Sequence, residues 1–430
     1  MRPGKQSGRL VLPVGLALCL LTACGGGGRL PVTAPTTERV PTAGGASAPV
    51  AARTYDPPLR FQDGEGHDVG QGQWSGLLEG TTAYAVSEGE ARAVNALDGR
   101  QLWSVKPEGQ PMDRVVFGIE DIAAPRLVEV GGKRALLAAF TITEPGSGTT
   151  PDRHLVELTA IAADSGERLW TTRIARPAGQ EDGELYFAGA DAGTAVLTFG
   201  SEIDPVTVGV SLSSRRTAWT EKGFQAVFVD GGVAVGRGGA DPEGGGGTGT
   251  VEGRRAADGT KAWTYRSELD TAEVKQAGEG LFTAVVDVPS PTGGNTATLL
   301  SAATGKEPAG LDAAKALGAP SALTCWTGEG TAVVCDAETE STEQVVALDP
   351  ANWTRLWAIS EDDESRLMPS VSAVFHGAVY GETENGYAVL DARTGKDRGS
   401  GPGSPPFSVN EYAGLFRAAL GTIEVHPAVG

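Results

Sequence analysis

Ala96-Leu97-Asp98-Gly99-Arg100-Gln101-Leu102-Trp103 decides the fold, because the chain repeats it along its length. The pattern is a strand ending in a small or apolar residue, then Asp-x-Gly or a near variant, then a charged residue, and in most copies a tryptophan. Further copies are Ala163-Asp164-Ser165-Gly166-Glu167-Arg168-Leu169-Trp170, the degenerate Ser213-Ser214-Arg215-Arg216-Thr217-Ala218-Trp219, and Ala257-Asp258-Gly259-Thr260-Lys261-Ala262-Trp263. Ala303-Thr304-Gly305-Lys306 follows, then Ala347-Leu348-Asp349-Pro350 leading to Arg355-Leu356-Trp357, and finally Leu390-Asp391-Ala392-Arg393-Thr394-Gly395-Lys396. Successive tryptophans lie 67, 49, 44 and 94 residues apart, the last interval being twice 47 and bracketing the Thr304-Gly305 copy. A period of 40–50 residues built from strands is that of a four-stranded propeller blade. The interval of 67 predicts one blade with an insertion, placed at the loop Glu144-Pro145-Gly146-Ser147-Gly148-Thr149-Thr150-Pro151.

Each copy makes local physical sense. An aspartate bonds the backbone two residues on, and glycine accepts the positive φ of a tight hairpin. The tryptophan, at the end of an outer strand, can cover the seam to the next blade with a large apolar area. Trp103, Trp170, Trp219, Trp263 and Trp357 are therefore expected to be structural. An aromatic ligand cage would need several rings on one face, and equivalent blade positions are spread around a circumference.

The repeat resembles the quinoprotein-like (PQQ-like) propeller family, whose hallmark is an Ala-x-Asp-x-x-Thr-Gly-Lys-x-x-Trp tail. The resemblance covers about Asp56 to Val429 and implies an all-β fold of four-stranded antiparallel blades. It leaves activity open, since the family holds quinone-dependent dehydrogenases, outer-membrane assembly lipoproteins and sensor domains without cofactor. The family's dehydrogenases carry a disulfide between adjacent cysteines and a calcium held by Glu, Asn and Asp beside a catalytic Asp. This chain has no Cys-Cys pair and no matching constellation, so no cofactor and no enzyme activity is expected.

The two ends of the chain predict an eighth blade beyond the seven countable copies. Phe407-Ser408-Val409, Gly414-Leu415-Phe416 and Gly421-Thr422-Ile423-Glu424-Val425 read as three inner strands without an outer one. Pro58-Leu59-Arg60-Phe61 reads as an outer strand without inner ones, just before Trp74-Ser75-Gly76-Leu77-Leu78 opens the next blade. Joining the two closes the ring and removes exposed edges; seven blades is the alternative.

The N-terminus carries a separate signal. Arg2, Lys5 and Arg9 precede a largely apolar run of 12 residues, Leu10 to Leu21. That is a signal-peptide core, since a spanning helix needs about 20 apolar residues. Leu21-Thr22-Ala23-Cys24 follows and resembles the bacterial lipobox. The resemblance implies that Cys24 becomes the first mature residue and carries a diacylglyceryl group; an ordinary secretory signal with a chance cysteine is the alternative. Four glycines and a segment rich in Gly, Pro, Thr and Ala come next, too poor in apolar residues to fold. The chain thus divides into a signal peptide (1–23), a lipidated cysteine with a disordered tether (24–53) and one propeller domain (54–430). The expected location is the extracytoplasmic face of a cell membrane, held there by lipid alone.

Composition agrees. The chain has 62 glycines and 40% apolar residues, which favours many short strands joined by turns. A net charge of −19 without a Lys/Arg cluster argues against nucleic acid and against docking on an anionic membrane. Of four cysteines, Cys19 leaves with the signal and Cys24 is the lipid site. Cys325 and Cys335 flank a Gly-containing turn, on segments that read as neighbouring strands, and outside the cytoplasm they are expected to form a disulfide; two buried free thiols is the alternative. Asp63-Gly64-Glu65-Gly66-His67-Asp68 complies only in part with a calcium loop and reads as a solvated turn. Glu361-Asp362-Asp363-Glu364 reads as an exposed acidic loop, and His67, His154, His376 and His426 lack zinc spacing. Gly244 to Gly249 lacks the lysine of a phosphate loop. The function expected is therefore a monomeric, non-catalytic scaffold binding a protein or a cell-envelope ligand. A dehydrogenase-like enzyme using the central channel, or a sensing subunit of a membrane signalling system, is the alternative.

Overall fold

A computed structural model describes residues 52–70, 72–112, 124–181, 183–191, 193–201, 204–239, 250–265, 272–287, 295–328, 330–418 and 421–430. Cys24, the tether up to residue 51 and the Gly244–Gly249 run lie outside the described residues. Eight antiparallel sheets follow one another along the chain, numbered here as blades 1 to 8: residues 75–105, 110–175, 185–222, 224–265, 272–301, 322–360, 370–401, and 408–427 joined by 67–70. Eight apolar clusters fill the eight seams, including that between blades 8 and 1, so the ring closes. The seven-bladed alternative is excluded.

The repeated turn works through its fifth residue. Its N–H donates to the carbonyl four residues back: Gly99 to Asn95, Gly166 to Ala162, Gly259 to Arg255, Gly305 to Ser301 and Gly395 to Asp391, at 2.8–2.9 Å. The turn aspartates cap it as expected, with Arg100 N donating to Asp98 and Thr260 N to Asp258. The tryptophans lie inside the outer strands, not at their ends, as Trp103 does in Gln101–Val105. Trp103, Trp219, Trp263 and Trp357 each donate Nε1–H to a carbonyl in the next blade, from Ala163, Ala256, Ala302 and Ala392, at 2.8–2.9 Å. Trp170 is 6% exposed, with the guanidinium of Arg215 over its ring. The turn glycine is the floor on which the ring rests. At Gly305, with φ +63°, a Cβ would come within 2.3 Å of the Trp263 ring. Side-chain freedom and positive φ are both unavailable to other residues there.

Two blades depart from the repeat. Blade 5 has three strands, because no outer strand follows Lys306. The segment beyond it carries the one-turn helix Ala313–Leu317, capped by Asp312 and ended at Gly318, whose apolar side covers Leu299. With no outer-strand tryptophan there, Trp353 occupies the turn position of blade 6 at φ +61° and packs against that helix cluster. The bulky ring has moved from one side of the seam to the other.

Blade 8 is closed by the N-terminal strand His67–Gly70, paired with Ile423–Pro427. This corrects the expectation that Pro58–Phe61 is the outer strand. That stretch makes only a bridge between Phe61 and Ala428, with Leu59 and Arg60 bonded to Gly430. It also corrects the solvated-turn reading of His67 and Asp68. His67 holds the place that tryptophan has elsewhere: a Cβ on Gly99 would lie 2.7 Å from its ring. The extra length of blade 2 also differs from expectation. Its central strands Lys133–Glu144 and Arg153–Ala162 are unusually long, and two separate strands, Gln110–Pro111 and Arg126–Val130, share one edge.

Candidate functional site

All inner strands start on one face of the ring, and two recesses open there. The first lies between blades 6 and 7 and has a volume of about 240 Å³. Thr324 and Met368 form walls, Asp336 lies inside, and Glu338 and Glu343 line it as well. The sequence places Asp336 there by strand alternation. In Val333–Glu338 the side chains of Val333, Cys335 and Ala337 pack toward blade 5, and those of Val334 and Asp336 toward blade 7.

Asp336 has little to satisfy it. Oδ2 accepts a long bond from Val371 N at 3.4 Å, and Oδ1 is buried with no partner. Burial pushes its carboxyl up to about 7; the Val371 N–H opposes this and the Glu343 charge adds to it. A buried acid titrating near neutrality is a site candidate. No nucleophile or base is hydrogen-bonded to it among the described residues, so no relay for acid–base catalysis is assembled. The acidic loop foreseen at Glu361–Glu364 is exposed and touches this rim, where Glu361 accepts from Glu343 N at 2.9 Å.

The second recess, about 420 Å³, lies along blades 3 to 5. Gln225 lines it, 7% exposed, with its Oε1 unpartnered. Lys275 and Glu273, two residues apart on one strand, pair at its rim at 2.7 Å.

Cys325 and Cys335 stand opposite each other in neighbouring strands of blade 6 and are joined in a disulfide. Both are buried in the blade 5–6 seam, away from either recess. The loop closed is short, with a sequence separation of 10, so its stabilisation is on the order of 2–3 kcal/mol. Alkylation without reductant should find no free thiol in the folded domain, and reduction should lower the melting temperature by several degrees only. Two alkylated thiols in the native protein would refute the pairing.

Among the described residues, no group of three or more His, Cys, Asp or Glu side chains is placed to hold a metal ion. The four histidines lie on separate elements: His67 in the closing strand, His154 in blade 2, His376 beside Asp56, and His426 beside Glu424. Asp336 escaped the sequence reading. Its one signal was a lone acid in the apolar run Val333-Val334-Cys335-Asp336-Ala337.

No protein-family model matches the chain, and no curated protein matches it in sequence. Solved structures with a similar fold include BamB from Moraxella catarrhalis, 14% identical, covering 86% of this chain and 100% of that one at a TM-score of 0.46. A europium-containing methanol dehydrogenase is 11% identical over 82% of each chain, with a TM-score of 0.43. A eukaryotic initiation factor is 10% identical over 86% of this chain and 89% of that one, at 0.46. At such identities and scores the likeness bears on neither activity nor ligand.

Proposed function

We propose that the protein is a lipid-anchored extracytoplasmic propeller that binds a protein or cell-envelope ligand as a monomer and catalyses no reaction. The observation that carries the reading is the blade 6–7 recess: an opening around a buried carboxyl to which no described residue supplies a catalytic relay. The anchoring part rests on Leu21-Thr22-Ala23-Cys24 and the charged, then apolar, run before it. A rigid ring with loops on both faces suits recognition.

One pair of measurements tests both halves. Cys24→Ser should move the protein from the membrane fraction to the soluble fraction, because lipidation needs the thiol; unchanged membrane retention would remove the anchor. Titration with pyrroloquinoline quinone and calcium, followed by tryptophan fluorescence, should give no stoichiometric binding. Tight one-to-one binding would favour the enzyme reading instead.

A further inference from the structure

We infer that the blade 6–7 recess receives a primary ammonium group on an apolar stem, the side chain of a lysine presented by a protein partner. This rests on the binding reading above. The volume, about 240 Å³, falls below the roughly 300–1,000 Å³ of small-molecule pockets, which suits one inserted side chain. The adaptable thioether of Met368 gives the stem an apolar wall. Beyond it, the Oδ1 atom of Asp336 is buried without a donor, which is costly unless something supplies one.

The geometry discriminates among cations. A guanidinium wants two coplanar acceptor oxygens, and here Oδ2 is already engaged by Val371 N. An ammonium is a compact point charge whose rotatable donors can reach Oδ1 without a second coplanar acceptor. A metal ion needs converging ligands, and the carboxylates here form no such group among the described residues.

The surroundings favour a positive partner. Glu338 and Glu343 line the recess and Glu361 stands beside Glu343. Thr324 faces Asp336 from the inner strand and Ser370 from blade 7, both uncharged. Arg366, in the same linker as Met368, is held by Asp397 at 2.7 Å. Leu367 is 46% exposed next to Met368, one of two large apolar side chains so exposed among the described residues, and offers a partner an adjoining apolar contact.

Asp336 must be ionised to take an ammonium, so binding at acidic pH releases its proton. Affinity should rise about tenfold per pH unit up to pH 7 and then level.

The test is calorimetric titration of the intact protein with Nα-acetyl-lysine methylamide from pH 5 to 8. The norleucine and arginine counterparts serve as probes without an ammonium. Saturable, millimolar lysine binding with that pH slope is expected, weakened at least tenfold in Asp336→Asn and a few-fold in Glu338→Gln/Glu343→Gln. Circular dichroism checks that each variant is folded. Equal binding by Asp336→Asn, equal binding of norleucine, a flat pH profile, or no binding at about 50 mM lysine probe would each overturn the inference. If lysine is refused while Cys24→Ser still leaves the membrane, this site is lost and the anchored binding reading stands.

Discussion

Deleting the chain through Gly70 leaves a ring that no longer unfolds as one cooperative unit, whereas deleting it through Arg53 changes the unfolding free energy by less than about 0.5 kcal/mol. Ala52, Arg53 and Thr54 are exposed, and contacts begin with Tyr55 N donating to Glu411 at 2.8 Å. From there the chain runs along the seam between blades 7 and 8. Tyr380 donates to the Pro58 carbonyl at 2.6 Å, and Phe61, 5% exposed, packs edge-on against Phe416 at 5.3 Å. Losing a buried phenylalanine costs about 3–5 kcal/mol, so deletion through Phe61 should be an intermediate case. Deletion through Gly70 also removes Val69, fully buried, and the ladder to Ile423, Glu424 and Val425. That burial adds about 1.5–3 kcal/mol, and the bared edge leaves backbone groups unpaired. The combined loss approaches the whole stability of an ordinary domain, about 5–15 kcal/mol. Chemical denaturation of the three truncations reads it directly. Equal stability of the Arg53 and Gly70 truncations would show that the ring does not depend on terminal closure.

The blades were legible because one turn chemistry recurs. Asp98, Asp258 and Asp391 each bond the N–H two residues on, and Gly99, Gly259 and Gly395 take the left-handed conformation. Local sequence dictates such turns, so they show in the sequence. Where the repeat fails, the reason is a partner far along the chain. His67 sits among Gly64, Gly66 and acids and reads as a loop; only Val425, paired with it, makes it a strand. Blade 5 kept its turn at Thr304-Gly305 and lost its tryptophan, and the compensating ring, Trp353, lies in another blade. Asp336 was hidden for the same reason. Nothing in Val333–Glu338 says which residue faces a seam; that follows from blade 7, whose Val371 N–H donates to Asp336.

Asp336→Asn should make the protein more stable at pH 8 and leave it unchanged at pH 4. In the unfolded chain this carboxyl loses its proton near 3.8, and in the fold near 7. Between those values the unfolded state has released a proton that the folded state keeps. Stability therefore falls as pH rises through this window and levels above about 7. At about 1.4 kcal/mol per pH unit the full loss is on the order of 4 kcal/mol. Below 3.8 both states are protonated and the loss vanishes. Asparagine keeps an acceptor for Val371 N and cannot ionise, so the variant should escape the decline. Its advantage should open between pH 4 and 7 and reach roughly 4 kcal/mol at pH 8. Other groups titrate over the same range, but the difference between the two proteins cancels them. Denaturant unfolding from pH 4 to 9 measures it. Parallel curves would mean that Asp336 ionises in the fold as it does in the open chain. A protein that carries such a cost at neutral pH gains most when a cation reaches Oδ1, because the same interaction that holds the ligand also returns the lost stability.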